Sequence, residues 1–213
     1  LTPIQLSAER LKRRYKEQIK EGVETFTELT DVIVRQVEDM RRMVNEFSDF
    51  ARMPTPVFAP ENLAQIVQDV LLLHQTARSN IAFTAEITAD NAQVRCDRSQ
   101  IRQVLNNLVE NAVQAIEEQK PETNPPPGAI KIVVKKSQRG KMVVSVLDNG
   151  PGLPADVDTE RLFDPYVTTR KRGTGLGLAI VRKVVDEHGG AVSLRRRDGR
   201  GTLAEIELPL YPA

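Results

Sequence analysis

Two asparagines lie one helical turn apart in the segment NLVENA, residues 107–112. On a helix, Asn107 and Asn111 project from one face, beside an apolar stripe. Amide oxygens are hard, neutral ligands that suit Mg²⁺, which keeps several waters and takes further ligands from phosphates. The pair therefore indicates a candidate magnesium site, although an asparagine pair taken alone is more often simply solvated.

A second polar cluster, DNGPG, directly follows the apolar alternating run Met142–Leu147. Asp148 would end a buried strand, where a carboxylate is costly unless a donor pairs with it. The exocyclic amine of adenine is such a donor, and Gly150 and Gly152 would let the backbone approach a base closely. The same residues are typical turn formers, so a simple strand-ending turn is the alternative.

A third cluster, GTGLGL at residues 173–178, leads into a predicted helix. Alternating glycines free the backbone to wrap an anion, and a helix N-terminus offers unpaired N–H groups and a favourable dipole for phosphate. Arg170, Lys171 and Arg172 add positive charge just upstream. The spacing differs from the dinucleotide-binding fingerprint, there is no Walker lysine, and glycine loops that only turn a corner are common.

Apolar periodicity predicts the elements that would position these clusters. The predicted helices span residues 61–77, 99–118 and 177–188, and the predicted strands span residues 81–87, 129–136, 142–147, 191–197 and 203–208, with one more near Val94. Asp97 followed by Gln100 resembles a capping box at the second helix. Because helices and strands alternate without strict βαβ spacing, we expect an α+β sandwich rather than a doubly wound sheet.

The first 53 residues are predicted to form a helical hairpin. Apolar residues recur at spacings of three and four from Ile4 to Ile19. After Gly22, two seven-residue series follow: Phe26, Ile33, Met40 and Phe47, and Thr30, Val37, Val44 and Ala51. A hairpin cannot bury both seams alone, so we expect a four-helix bundle with a second copy; packing on the chain's own globular domain is the alternative. Prolines at 54, 56 and 60 divide the chain into domains 1–53 and 54–213.

Composition excludes several classes of protein. Thirty Lys+Arg against 29 Asp+Glu give a net charge of +1, which provides no global field for nucleic-acid binding. The arginines between residues 195 and 200 have no interleaved aromatic residue, which favours a solvated strand face. The single Cys96 excludes an internal disulfide, and no signal peptide or membrane span is evident, so we expect a cytoplasmic location. The start at Leu1, without Met, suggests a piece of a longer protein.

The order of the three clusters resembles the N, G1 and G2 boxes of sensor histidine kinases. Between the last two, LFDPYVTT at residues 162–169 resembles the F box of that family, and GT at 201–202 with LP at 208–209 resembles its closing strand. The resemblance runs through most of residues 56–211. It implies the GHKL (Bergerat) ATP-binding fold, an α/β sandwich in which a mobile lid around residues 151–175 covers ATP.

The resemblance also implies roles for individual residues. Asn111 would ligate Mg²⁺, Asp148 would accept from the adenine amine, and Thr202 would help to order water at the adenine. The glycines of the second cluster would line the base, and those of the third would hold phosphates with Arg170 or Lys171. The residues implied in ATP binding are Asn107, Asn111, Asp148, Gly150, Gly152, Arg170, Lys171, Gly173, Thr174, Gly175, Leu176, Gly177 and Thr202.

The hairpin resembles the dimerisation and phosphotransfer bundle of NtrY-type kinases of nitrogen regulation, through LTPIQLSAERL at residues 1–11 and FARMP at residues 50–54. In that family the phosphoacceptor histidine lies just upstream of such a segment, so the resemblance places it before the first residue and leaves the catalytic residue unassigned. His74 is predicted to be a partly exposed helix residue, and His188 a helix C-terminal residue ahead of a glycine cap. We therefore expect ATP binding without autophosphorylation.

One departure from the family pattern concerns hydrolysis. GHKL relatives that hydrolyse ATP carry a glutamate base four residues before the magnesium asparagine, and that position here is Asn107. A neutral amide cannot take a proton from water, and Glu110 lies about 100° around the helix from Asn111. Slow or absent ATPase activity is predicted. Gln114 stands where many of these kinases carry a lysine, which removes one expected phosphate contact.

Three functions stay open from sequence alone. The first is an ATP- and Mg²⁺-dependent protein-histidine kinase, which transfers the γ-phosphoryl group to a bundle histidine and then to an aspartate of a response regulator receiver domain, and which forms a homodimer through the hairpin. The second is a GHKL ATPase of the chaperone or topoisomerase kind. The third is a non-enzymatic nucleotide-binding or interaction module. No nucleic-acid partner is expected, and membrane anchoring is expected only through parts of the parent protein outside this chain.

Overall fold

The computed structural model describes residues 2–19, 21–89, 92–119, 126–168 and 173–210. The chain divides into two compact units, of which the first comprises Leu1–Met53 and Thr169–Thr174 and the second comprises Pro54–Thr168 and Gly175–Ala213. The domain roles predicted for the two parts of the chain stay predictions. Among the described residues, no helix combines the length and the apolar composition needed to cross a bilayer.

The first unit is built on an antiparallel helical hairpin. Helix α1 spans Thr2–Tyr15 and helix α2 spans Val23–Ala51. Gly22 has a φ of +77°, a left-handed conformation that favours glycine at the turn into α2. Lys12 Nζ lies 2.6 Å from Asp31 Oδ1, and Gln5 Nε2 donates to Glu38 Oε1 at 3.3 Å. Because earlier positions on α1 pair with later positions on α2, the helices run in opposite directions.

The two seven-residue series of α2 lie in different environments. Thr30 and Val37 of one series are buried, as is Ala8 of α1. The members of the other series that stay about half exposed are Ile33, Met40 and Phe47. The hairpin therefore buries only Thr30 and Val37 of that series, while Val44 and Ala51 stay exposed, and it leaves an apolar face uncovered within the unit.

The second unit is an α/β sandwich. Its elements are β1 (Ala59–Asn62), α3 (Leu63–Ala77), β2 (Ile81–Ile87), β3 (Gln93–Cys96), α4 (Arg98–Glu117), β4 (Gly128–Lys136), β5 (Lys141–Asp148), a 3₁₀ turn (Arg161–Phe163), α5 (Gly177–Glu187), β6 (Ala191–Arg196) and β7 (Thr202–Pro209). Five strands form one sheet in the order β2-β4-β5-β7-β6, with β2 and β4 parallel and the other neighbours antiparallel. Strands β1 and β3 form a separate antiparallel pair, and the three helices pack on the five-stranded sheet.

Strand β5 lies at the centre of the sheet and carries much of the core. Its residues from Met142 to Val146 are buried between the flanking strands and the helical layer. On α4, the predicted apolar stripe is buried at Ile101, Val104, Leu108 and Ala112 and half-buried at Ile116. Asn107 and Asn111 are half-buried beside this stripe, so both amides lie at the rim of the core.

The predicted fold class, a helical hairpin followed by an α/β sandwich, is confirmed, but the expected helix start at residue 61 is wrong. Residues 59–62 instead pair with β3. Helix α3 begins at Leu63, because Asn62 Oδ1 accepts from the backbone N–H of Ala64 at 2.9 Å and so caps the helix. A four-residue strand that contains Pro60 has too little alternation to be recognised from the sequence.

The predicted capping box at the start of α4 is only half formed. Asp97 Oδ1 accepts from the Gln100 backbone N–H at 3.1 Å, but Gln100 Nε2 donates to the Pro54 carbonyl at 2.8 Å instead of returning to Asp97. Asp97 Oδ2 accepts from Val57 N at 2.9 Å, and Asp97 N donates to His188 Nε2 at 3.0 Å. The residues around Asp97 thus join the segment after residue 53, the start of α4 and the end of α5.

Replacement of Asp97 by alanine should lower the free energy of unfolding by about 1–2 kcal/mol at neutral pH, because α4 loses its cap and Val57 loses its acceptor. Burial alone would raise the pKa of Asp97, but hydrogen bonds from Ser99, Val57 and Gln100 outweigh it and hold that pKa below its usual value. The stability that Asp97 adds to the fold is therefore present above the usual aspartate pKa. It is lost as the pH falls through the lowered pKa of Asp97 in the folded protein.

Urea denaturation of wild type and Asp97→Ala at neutral and acidic pH measures this difference, which should shrink on acidification. Asp97→Asn is the matched control, since its amide oxygen still caps α4 but does not titrate. A difference between wild type and Asp97→Ala that stays constant with pH would contradict the prediction.

Candidate functional site

Asp148 is the last residue of β5, and its side chain is only 4% exposed. Oδ1 accepts from the backbone N–H groups of Gly150 at 2.8 Å and Thr202 at 3.2 Å. Burial raises the pKa of Asp148, whereas these N–H groups, the Thr202 hydroxyl and the Arg197 guanidinium oppose the rise. An ionised carboxylate only accepts hydrogen bonds. The side chain therefore places an acceptor at the end of the central strand.

The turn after Asp148 requires glycine at particular places. Gly152 has a φ of +79°, and a Cβ there would lie 2.9 Å from the Gly201 carbonyl oxygen. Gly201 has a φ of +96°, and a Cβ there would overlap the Asp148 carbonyl oxygen. A Cβ on Gly150 would lie 3.1 Å from Asp148 Oδ1 and 3.3 Å from Ala115 of α4. Close approach of three backbone segments therefore explains the glycines on both sides of the carboxylate.

Two arginines of the turn between β6 and β7 bind the same backbone. Arg197 Nη1 donates to the Asp148 carbonyl at 2.6 Å, and Arg200 Nε donates to the Gly150 carbonyl at 3.3 Å. The prediction that the arginines between residues 195 and 200 form a solvated face is therefore wrong for these two. Arginine spacing carries no signal for this role, since Arg195 and Arg196 in the same run are exposed.

One face of α4 connects this turn with the start of α5. Asn107 Nδ2 donates to the Gly177 carbonyl at 3.3 Å, and Ala115 lies against Gly150. Asn111 lies between them, since residues four apart share a helix face. The α4 face therefore places Asn111 between Asp148's turn and the glycine-rich segment before α5.

Glu110 belongs to a different face of α4. Both of its carboxylate oxygens accept from Arg78 Nη2, at 3.1 and 2.8 Å. Gln114 Nε2 also donates to Glu110, at 3.4 Å. This ion pair directs Glu110 toward α3 and away from the Asn107–Asn111 face, in agreement with the angle expected from the sequence.

At the N-terminus of α5, Gly177 faces open space, whereas Leu176 and Gly175 just before it are closely packed. A Cβ built on Gly177 meets nothing within 4 Å, so the fold itself does not require glycine there. Leu176 is fully buried, so its side chain packs in the core. Gly175 has a φ of +70°, and its carbonyl accepts from Tyr166 N at 3.0 Å. A Cβ on Gly175 would lie 2.6 Å from the Tyr166 carbonyl carbon.

Four of the predicted site residues are not brought to Asp148 by the described contacts. Gly173 and Thr174 belong to the hairpin unit, in which the Thr174 hydroxyl donates to the Glu46 carboxylate of α2. Arg170 and Lys171 lie outside the described residues.

The 3₁₀ turn is anchored by a residue that sequence reasoning missed. Leu162 and Phe163 are buried, and the Arg182 guanidinium of α5 lies 4.6 Å from the Phe163 ring centre. Arg182 also pairs with Glu160 at 2.6 Å. An arginine over an aromatic face gains cation–π energy. This contact fixes the start of the segment that leads to Tyr166.

The donor set suits a metal held mainly by a phosphate ligand rather than by the protein. Among the described residues, no group of three or more His, Cys, Asp or Glu side chains could hold an ion. Asn111 would supply one amide oxygen from the α4 face between the turn after Asp148 and the start of α5. This fits Mg²⁺, which commonly takes one or two protein ligands and completes its shell with phosphates and waters.

The prediction that His74 is partly exposed is wrong, because the side chain is 6% exposed. Nδ1 lies 3.2 Å from Arg78 Nη1, which can only donate, so Nδ1 accepts and Nε2 donates to Asn106 Oδ1 at 3.3 Å. Burial lowers the pKa of His74. The imidazole is therefore enclosed between α3 and α4.

His188 ends α5 ahead of Gly189, which has a φ of +66°, as predicted. Its side chain is buried. Nε2 accepts from Asp97 N, and Nδ1 lies 2.7 Å from the Val184 carbonyl, to which it donates. Both ring nitrogens are thus engaged inside the fold.

A sandwich with an acceptor at the end of its central strand, an asparagine-bearing helix and a glycine-rich helix start defines a class of ATP-binding domain. Residues 96–212 match the family of histidine kinase-, DNA gyrase B-, and HSP90-like ATPases. The chain belongs to this family.

Within that family, the chain resembles sensor histidine kinases. It is 42% identical over 210 residues to nitrogen regulation protein NtrY of Azorhizobium caulinodans, a match that covers 98% of this chain and 27% of the relative. The chain therefore spans about a quarter of that protein's length. The predicted resemblance to NtrY-like sensor histidine kinases is confirmed.

Two solved structures agree over nearly the whole chain. Full-length ShkA in complex with AMPPNP has a TM-score of 0.71 and 26% identity, and covers 100% of this chain and 44% of that one. Histidine kinase ThkA in complex with response regulator protein TrrA has a TM-score of 0.70 and 28% identity, and covers 98% of this chain and 59% of that one.

Gly201→Ala should destabilise the protein far more than Gly199→Ala. Both glycines have a positive φ, but a Cβ on Gly199 meets nothing within 4 Å, whereas one on Gly201 overlaps the Asp148 carbonyl. The left-handed conformation costs a non-glycine residue about 1–2 kcal/mol, and the overlap should add about 1–3 kcal/mol. Urea denaturation of the two variants measures the difference. Equal losses of unfolding free energy would contradict the close packing at Asp148.

Proposed function

We propose that the second unit binds ATP with its adenine at Asp148. The observation that carries this proposal is the buried carboxylate at the end of β5, with glycines on either side that let the backbone lie close to a base. The exocyclic amine of adenine would donate to the carboxylate. Gly150 and Gly152 would line the base, and Thr202, whose N–H already binds Asp148, would help to order water there.

The phosphates would lie at the start of α5. Open space at Gly177 and the unpaired N–H groups of a helix N-terminus suit an anion. Gly173, Thr174, Gly175 and the backbone of Leu176 would complete the loop, with Arg170 or Lys171 adding positive charge. Asn107 would hold the loop through its hydrogen bond to Gly177.

Asn111 would be the protein ligand of Mg²⁺. Its place on the α4 face, between the turn after Asp148 and the start of α5, lies along the path that an extended nucleotide would take. The ion would supply neutralisation of phosphate charge, and the protein would contribute position, not a base.

We further propose that the parent protein is a protein-histidine kinase of nitrogen regulation. The γ-phosphoryl group would move to a histidine of the phosphotransfer bundle and then to an aspartate of a response regulator. The similarity to NtrY supports the first step and the regulatory role, and the similarity to ThkA in complex with TrrA supports the second. The half-exposed seam at Ile33, Met40 and Phe47 supports a homodimer through the hairpin.

Asp148→Asn should weaken binding of AMPPNP with Mg²⁺ at least about tenfold, because the amide places a donor where the carboxylate only accepts. Its amide oxygen can still accept from Gly150 N and Thr202 N, so the turn should persist. Titration calorimetry measures the affinity.

Asp186→Asn is the matched control, since this aspartate is exposed on α5. It should bind as tightly as wild type. Equal affinity of Asp148→Asn and wild type would contradict the adenine role, and absence of binding by wild type would contradict the proposed function itself.

Incubation of this chain with Mg²⁺ and ATP labelled at the γ-phosphate should give no acid-labile protein label and little released phosphate. The chain's two histidines are His74 and His188, and both are buried and hydrogen-bonded. Asn107 offers no base, and Glu110 is paired with Arg78. Filter binding and phosphate release measure the two activities. Sustained turnover that Glu110→Gln abolishes would instead support the ATPase alternative.

A further inference from the structure

The turn between β6 and β7 holds Asp148 at both its main chain and its side chain. Arg197 N donates to the Gly201 carbonyl at 3.0 Å and closes the turn. Arg197 Nη1 donates to the Asp148 carbonyl at 2.6 Å, while Thr202 N donates to Asp148 Oδ1 at 3.2 Å. Gly201 lies directly against the same carbonyl. Residues 197–202 therefore hold both the main chain and the carboxylate of Asp148 in place.

Besides closing this turn, Arg197 acts on the Asp148 carboxylate through its charge. Its guanidinium binds the main-chain carbonyl of Asp148, and its positive charge also acts on the carboxylate of that residue, where burial reduces screening. Charge-assisted hydrogen bonds are also stronger than neutral ones. The neighbouring Arg195 and Arg196 are exposed, so the same run of arginines contains residues without this contact.

We propose that Arg197 is a positioning residue for the adenine site: it orients Asp148 through the main-chain carbonyl and keeps its carboxylate in the ionised, accepting form. This inference rests on the proposed function, since it assigns Arg197 a role through the residue that reads the base. Arg197 itself is not proposed to touch the nucleotide.

The charge and the hydrogen bond can be separated by substitution. Arg197→Gln keeps a donor and loses the charge, Arg197→Lys keeps the charge, and Arg197→Met loses both. Arg196→Gln is the matched control, because it removes an adjacent exposed charge.

The pH dependence of Asp148 gives a readout that a purely structural role would not move. Burial raises the pKa of Asp148, and the Gly150 N–H, the Thr202 N–H and hydroxyl, and the positive charge of Arg197 oppose this rise. Arg200, which binds the Gly150 carbonyl, is a second charged side chain at the same turn. Loss of the Arg197 charge should raise the pKa of Asp148, so protonation would begin at higher pH. The acidic decline of nucleotide affinity should then move to higher pH.

The test measures AMPPNP affinity with Mg²⁺ across pH and, separately, the ¹³C carboxyl titration of Asp148 by NMR in the nucleotide-free chain. Affinity ratios of variant to wild type at each pH cancel the titration of the ligand. We expect Arg197→Gln and Arg197→Met to bind about three- to tenfold more weakly, with the loss growing on acidification. Arg197→Lys should restore the pH profile, and Arg196→Gln should match wild type.

The two measurements distinguish the possible failures. An Asp148 titration unchanged in Arg197→Gln would overturn the inference even if wild type binds nucleotide well. Weaker binding with an unshifted pH profile and no rescue by lysine would reduce Arg197 to a structural residue and would also overturn it. If wild type binds no nucleotide, the proposed function fails, and the role of Arg197 at an adenine site fails with it.

Discussion

The site depends on keeping one carboxylate, that of Asp148, buried at the end of the central strand. Burial opposes its ionisation, so the fold must provide donors from backbone and side chain. Those donors come from the turn after β5 and from the turn between β6 and β7, which approach closely enough to require glycine at positions 152 and 201. The sheet order matters for this reason: β7 is the neighbour of β5, and it brings Thr202 beside Asp148.

Helix α4 connects the turn after Asp148 with the start of α5. Its apolar stripe packs into the core, which leaves Asn107, Asn111 and Ala115 along a neighbouring face. One end of that face meets Gly177 at the start of α5, and the other meets Gly150. The turn after Asp148 and the start of α5 are thus both in contact with one helix, and Asn111 lies between the two contacts.

The sequence predicted the larger elements and the order of the polar clusters, because long periodic segments and glycine-rich turns carry strong local signals. It missed β1, since pairing with β3 decides the conformation of residues 59–62, and it misjudged the start of α4, where Gln100 binds Pro54 rather than closing the box. Arg197 and His74 were misassigned for the same reason: their partners, Asp148 and Asn106, are distant in sequence. Leu176 is the opposite kind of error: it belongs to the glycine-rich cluster that predicted a phosphate site, but it packs in the core.

The most direct test of the adenine assignment is the affinity of the wild-type chain for ADP compared with inosine diphosphate, whose base carries a carbonyl in place of the exocyclic amine. Two acceptors would then face each other at Asp148, and a site built to accept from a ligand N–H rejects an analogue that lacks it. We expect inosine diphosphate to bind about a hundredfold more weakly or worse. Equal affinity for the two nucleotides would contradict the adenine assignment.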